Sequence, residues 1–282
     1  MDYLKAVILA VVEGITEFLP ISSTGHLILV EAPLRLSDPG FARAFMVIIQ
    51  FPAILSVVCY FWGELWPGRR ATPENTAHTL RIGPLALAYE PRIISVWFKV
   101  VAGFMPAAVL GLLLNDLIEG HLLYPLPVAI ALLTGGVLLI VIERRGHNPR
   151  FLNVHAFTYT TAVLIGCFQC LAMVPGTSRS AATIIGGMLL GASRPAAAEF
   201  SFFLAIPTML GACTVSLAKH GLSFTTQQWA LLAVGSVMSF IVAYVSIAFL
   251  MHYIRRHDFQ LFGWYRIVLA AVVIALLTAG LM

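Results

Sequence analysis

The stretch EGITEFLPISSTGH, from Glu13 to His26, sets two carboxylates, two serines, two threonines and an imidazole between the apolar runs LKAVILAVV and LILV. Glu13 and Glu17 are four residues apart and share one helix face. Two carboxylates in a poorly hydrated place rarely both ionise unless a cation joins them. Either one holds a proton, or a divalent metal or a basic side chain compensates both. Pro20 ends the first helix, and Ser22 or Ser23 suits the cap of a second. The free N–H groups of that helix start form an anion site. Capping accounts for one hydroxyl only. Ser22, Ser23 and Thr24, with His26 one turn beyond Ser23, point to ligand binding or proton transfer.

A second stretch, PGTSRSAAT from Pro175, adds a guanidinium. Arg179 stands among Thr177, Ser178 and Ser180, just after Gly176. Arginine is suited to forked contact with phosphate, and small hydroxyls at a helix start make a cradle for it. Arg179 could equally neutralise Glu13 or Glu17. Neither GxxxxGK[ST] nor GxGxxG occurs, which argues against a nucleotide loop. Together the stretches offer a hydroxyl nucleophile, an imidazole, carboxylates and an arginine clamp, a set suited to phosphoryl transfer. Ionisable groups at membrane depth are costly and functional by default, so the substrate should be a lipid with a phosphate or pyrophosphate head. The groups expected around that head are Ser22, Thr24, Gly25, Gly176, Thr177, Ser178, Ser180 and Thr183. Lys99 either adds charge or snorkels to the edge of the membrane, and Glu199 is expected to pair with a basic group.

The elements that must position these residues are membrane helices. The chain has 282 residues, 60% hydrophobic and 11% charged, with a mean hydropathy of +0.91, too little charge to cover a soluble domain. Six segments read as full spans, about 43–65, 93–115, 123–143, 195–218, 228–253 and 262–281. Residues 3–33 and 158–191 are instead pairs of shorter apolar stretches broken by proline and small polar residues. Non-helical backbone at membrane depth must be buried in protein or line a cavity, so each is expected to be a re-entrant helix–loop–helix hairpin. Setting Pro20 against Pro175 pairs Ser22 with Thr177, Ser23 with Ser178 and Thr24 with Arg179. A hairpin followed by three spans occurs twice, which turns the second unit upside down. The fold expected is an all-α integral membrane protein, one domain over 1–282, built as an inverted repeat of 1–150 and 151–282 with its site between the halves.

A cleavable signal peptide is not expected, because Asp2 stands beside Lys5 and no small-residue cleavage site precedes the motif. Lys5, Arg35, Arg43 and Lys219 fall on one side. Arg69, Arg70, Arg81, Arg92, Arg144, Arg145, Arg150, Arg194, Arg255, Arg256 and Arg266 fall on the other, which is then cytoplasmic, with both termini outside. Lys99 and Arg179 remain for the membrane interior. The loop PGRRATPENTAHTLRIGPLALAYEPR would be cytoplasmic and the least ordered part. The net charge of +4 follows this topology, and no nucleic-acid partner is expected. Cys59, Cys167, Cys170 and Cys213 lie in apolar segments and read as buried thiols, the CxxC spacing of CFQC notwithstanding.

EGITEFLPISSTGHLIL, PGTSRSAATIIGGMLLGASR and AAEFSFFLAIP resemble the undecaprenyl-diphosphatase family of bacteria, the bacitracin-resistance type, and the similarity runs along essentially the whole chain. The resemblance implies hydrolysis of undecaprenyl diphosphate to the monophosphate in the inner membrane, recycling the lipid carrier for peptidoglycan. It implies Ser23 as nucleophile, with His26, Glu13, Glu17 and the phosphate-binding Arg179 as its partners. It also implies a divalent cation, Mg2+ or Ca2+, a periplasm-facing site and a homodimer. PGTSRS has threonine where some relatives carry an aromatic, which should leave the chemistry alone. The KxxxxxxRP pattern of the acid-phosphatase type is absent. Two points stay open: whether Ser23 attacks, helped by His26 or Glu17, or only holds phosphate for water; and whether the protein is instead a flippase or transporter of polyprenyl phosphate.

Overall fold

The computed structural model describes residues 2–31, 34, 36–68, 78–82, 85–122, 124–146, 148–220 and 223–281. Its helices, in chain order, are α1 (Asp2–Thr16), α2 (Ser23–Glu31), α3 (Pro39–Ile48), α4 (Gln50–Tyr60), α5 (Trp62–Leu65), α6 (Pro91–Leu122), α7 (Pro125–Arg144), α8 (Tyr159–Cys170), α9 (Arg179–Leu189), α10 (Arg194–His220), α11 (Thr226–Tyr253) and α12 (Gln260–Thr278). Among the described residues six stretches are long and apolar enough to cross a bilayer: Pro39–Tyr60, Pro91–Leu113, Pro125–Arg144, Arg194–Lys219, Thr226–Tyr253 and Gln260–Thr278. All six match the spans expected from hydropathy. The first begins early because Asp38 caps it, accepting from Gly40 N at 2.8 Å and Phe41 N at 3.1 Å, with Pro39 in the first turn. Thr225 and Gln228 form a capping box that starts α11.

The all-helical expectation holds for every span, and one short hairpin lies outside them. Two strands, β1 (His78–Ile82) and β2 (Leu85–Tyr89), pair antiparallel, His78 opposite Tyr89 and Ile82 opposite Leu85. They lie in the loop expected to be least ordered, where alternating Leu, Ile and Tyr with threonine favour strand. Arg35, Arg69 and Arg70 of the orientation tally lie outside the described residues.

Helices cross where side chains are small. A Cβ on Gly166 of α8 would run into the Gly103 carbonyl of α6, and one on Gly14 of α1 would meet Ser239 O and Ala243 N of α11 at 3.0 Å. Without a hydrophobic force between helices in lipid, such close backbone approach supplies the packing. α7 meets α12 in the same way, Gly136 against the Gly263 carbonyl. A phenylalanine cluster fills the centre. Phe18 meets Phe202 edge to face at 5.5 Å and Phe61 meets Phe203 at 5.3 Å. Phe98, Leu112, Val245 and Val268 point outward from the spans, as side chains facing lipid do.

Two expectations about charge and sulfur change, those for Arg266 and for the thiols. Arg266 does not belong to a flanking loop: it is fully buried in α12, because its guanidinium finds carbonyl partners inside. Lys99 is buried and donates to His155 O at 2.9 Å. Glu199 interacts electrostatically with Glu64 and His155. The strong buried ion pair is Glu143 with Arg194, whose Nε donates to both carboxylate oxygens at 2.9 and 3.0 Å. Glu143 also accepts from Phe259 N at 3.0 Å, tying α7, α10 and the start of α12 together. Of the thiols only Cys213 is buried, with Cys170 half-buried. Cys59 and Cys167 are exposed on outer faces, since an apolar segment in a bilayer has a lipid side as well as a core side, and all four are free.

Candidate active site

Two helices stop in mid-sequence and restart. α1 ends at Thr16 and α2 begins at Ser23; α8 ends at Cys170 and α9 begins at Arg179. In each break one serine sits at positive φ, 73° at Ser22 and 68° at Ser178. Each then caps the following helix: Ser22 Oγ accepts from Gly25 N at 3.3 Å and Ser178 Oγ from Ala181 N at 3.3 Å. Ser22 therefore matches Ser178, and Ser23 matches Arg179. The alignment on the prolines is one residue out, because Pro175 is followed by the extra turn residue Gly176, at φ 92°.

The breaks meet around a polar cavity of about 210 Å³, lined among others by Glu17, Ser23, Thr24, Gln50, Gly176, Ser178 and Arg179. Ser23 Oγ donates to Glu17 Oε2 at 2.8 Å. Arg179 Nη2 lies 3.6 Å from Glu17 Oε1, and its Nη1 donates to Ser201 O at 2.8 Å. Arg179 Nε and Nη2 have no hydrogen-bond partner, so two donors of the fork remain for a ligand. The first amides of α2 and α9 have no acceptor within their helices, as at any helix start.

The other expected residues divide. Glu13 lies behind Glu17, fully buried, both oxygens without a hydrogen-bond partner. Ser180 donates to Leu19 O at 3.0 Å and so joins the breaks. Thr183 donates to Arg179 O at 2.8 Å and its hydroxyl bonds that of Ser201 at 2.6 Å, holding Arg179's helix against α10. Gly25 lets α2 approach α7, where a Cβ would meet Leu132 Cδ1 at 2.9 Å. Thr177 faces away from the polar cavity, into a neighbouring groove.

His26 is not beside Ser23's hydroxyl. Its Nδ1 lies 2.8 Å from Ser22 O, and a carbonyl only accepts, so Nδ1 carries the proton. Its Nε2 lies 2.7 Å from Tyr265 Oη, with the rings stacked at 5.5 Å. Both nitrogens are engaged outside the cavity, and the group in contact with Ser23 is Glu17.

Sequence reasoning passed over two residues. Gln50 opens α4 and enters the cavity near Glu13; its signal was a lone amide in FMVIIQFPAIL. Arg266 donates to Pro20 O at 3.4 Å in the first break, and to Gly176 O at 3.1 Å and Thr177 O at 3.0 Å in the second. It also donates to Ala131 O and Leu132 O of α7. Its signal was a charge four residues inside a span.

These features define a class: a multi-pass helical membrane protein with a polar, arginine-bearing cavity built where two interrupted helices meet. Comparison places it further. The family model described as Bacitracin resistance protein BacA matches residues 6–272, and the chain belongs to that family. It is 48% identical over 283 residues to Undecaprenyl-diphosphatase of Limosilactobacillus fermentum, covering 98% of this chain and 97% of that one. It is 49% identical over 278 residues to Undecaprenyl-diphosphatase of Fusobacterium nucleatum, covering 96% and 99%. Undecaprenyl-diphosphatase 1 of Clostridioides difficile is 46% identical over 276 residues, with 98% and 96% covered.

Proposed function

We propose that this chain hydrolyses undecaprenyl diphosphate to undecaprenyl phosphate and inorganic phosphate, returning the carrier to peptidoglycan synthesis. The observation that carries the reading is Glu17, which accepts from Ser23 Oγ at 2.8 Å while its other oxygen faces Arg179 at 3.6 Å. A base on the hydroxyl and a cation beside it are what attack on a diphosphate requires. Ser23 Oγ attacks the terminal phosphorus as its proton passes to Glu17. The Oγ–P bond forms, the bond from phosphorus to the bridging oxygen breaks, and undecaprenyl phosphate leaves. Water then attacks the phosphoserine, Glu17 returns its proton to Oγ, and phosphate departs. Arg179 and the helix-start amides hold the equatorial oxygens throughout. His26 orients the Ser22 turn.

Glu13 and Glu17 suit a hard divalent cation, Mg2+ or Ca2+. The donors are all oxygen, and Glu13 is buried with both oxygens unpartnered. Among the described residues no group of three His, Cys, Asp or Glu side chains could hold a metal, so water and the diphosphate would complete the shell. The ion would supply positive charge to the diphosphate.

The same reading takes 3–33 and 158–191 as re-entrant hairpins of an inverted repeat, 1–150 and 151–282. Crossed packing supports it: α1 lies on α11 as α8 lies on α6, α4 on α11 as α10 on α6, and α7 on α12. With Arg266 removed from the tally, the basic excess still favours cytoplasmic loops on the side of Arg144 and Arg194. The termini and the site then face the periplasm of a bacterial inner membrane. A homodimer rests on the family likeness alone.

The test is phosphate release from undecaprenyl diphosphate by purified protein in detergent, where no sidedness exists. Release should stop with chelator and with Arg179→Ala, and labelled phosphate should be trapped on Ser23. A flippase would release none, and label that never reaches Ser23 favours attack by water.

A further inference from the structure

A second, apolar groove of about 610 Å³ runs between α7, α8 and α9. Ile130 and Leu138 line it from α7, Phe168 from α8 and Leu189 from α9. Its volume is ordinary for a ligand pocket, roughly 300–1,000 Å³. The groove and the polar cavity share one wall. In the second break, Val174 and Thr177 face the groove, while Gly176 and Ser178 face the cavity. Arg266 fastens that wall by the carbonyls of Gly176 and Thr177, so the two chambers keep a fixed separation. Along its outer rim Ile130, Leu138 and Leu189 are about half exposed, at 52%, 51% and 54%. A chain lying in the groove can therefore continue sideways into the bilayer.

We propose that this groove binds the head-proximal isoprene units of the substrate's own hydrocarbon while the diphosphate occupies the polar cavity. The inference rests on the function proposed above and extends it to the lipid. A molecule with a charged head and an apolar tail needs two adjoining chambers of opposite chemistry. The cavity and groove adjoin at Gly176–Thr177.

Ile130→Trp and Leu138→Trp place bulk in the groove from positions already facing lipid, where the fold tolerates it. With undecaprenyl diphosphate, KM should rise about tenfold, the loss expected when roughly two methylenes no longer bury. With methyl diphosphate, which carries no isoprene unit to place in the groove, KM should stay within about twofold. Equal shifts for both substrates, or none for either, overturn the proposal. A readout independent of turnover is photolabelling in chelator, using undecaprenyl diphosphate with a diazirine on its head-proximal isoprenes. Adducts should fall on the groove faces of α7, α8 and α9 and be competed by unlabelled undecaprenyl diphosphate. Adducts elsewhere, or uncompeted ones of the kind bulk lipid would give, also overturn it. If wild-type protein labels on α7, α8 and α9 yet releases no phosphate, the hydrolase reading fails and the groove stands.

Discussion

The two polar breaks share a backbone and differ in charge. Each holds a serine at positive φ, a strain on the order of 1–3 kcal/mol for a residue with a Cβ, and each uses that serine to cap the helix that follows. The first break opens its helix on Ser23 and follows the carboxylates Glu13 and Glu17. The second opens its helix on Arg179, and Gln169 stands as far ahead of Ser178 as Glu13 stands ahead of Ser22. Gln169 is buried and donates to Thr208 at 3.3 Å. One turn geometry thus serves two tasks. The anionic break is suited to taking a proton from a hydroxyl, and the cationic break to holding phosphate oxygens.

Substitutions can break that division. The largest effect is expected from Ser23→Ala, which should cut single-turnover phosphate release on the order of 10⁴-fold or more. Retention of a tenth of the activity would remove the nucleophile from the first break. Next is Arg179→Lys, which keeps the charge but loses the fork. It should cost roughly 10²- to 10³-fold, mostly in kcat, and a change in KM alone would make the second break a mere docking point. His26→Ala and Tyr265→Phe should each cost about tenfold or less, because His26 touches Ser22 O and Tyr265 rather than Ser23. A loss matching that of Ser23→Ala would return the imidazole to the proton transfer.

The smallest effect lies away from both breaks. His155 is held above the usual histidine range chiefly by its 3.1 Å hydrogen bond to Glu64, against partial burial. A folded value raised above the unfolded one stabilises fully below the unfolded value, near 6.5, and is lost as pH rises through the folded one. Because Glu64 is half exposed, the contribution is small. His155→Gln should lower Tm by about 1–3 °C near pH ~5 and leave it unchanged near pH ~9. The opposite pH trend would show that the pair does not form.

The spans were legible because length and hydropathy alone decide them. The polar breaks were legible because proline and clustered hydroxyls stand out against apolar sequence. What could not be read depends on distance or on dihedral angles. The one-residue shift between the breaks turns on which serine takes positive φ, and matching prolines cannot reveal it. Tyr265 is 239 residues from the imidazole it bonds. Arg266 was counted with the positive charges of the cytoplasmic side; its five carbonyl acceptors come from three separate stretches of chain. The β-hairpin hid in a loop whose prolines and charges masked a short alternation.

Arg266 also sets an order of assembly. It belongs to α12, and synthesis delivers the amino-terminal portions first, so both breaks are made before it. Until that helix inserts, the carbonyls at Pro20, Gly176 and Thr177 lack their common donor. A nascent chain cut short of α12 therefore carries every reactive side chain without the bolt that sets them in register, and competence arrives only once α12 is in place.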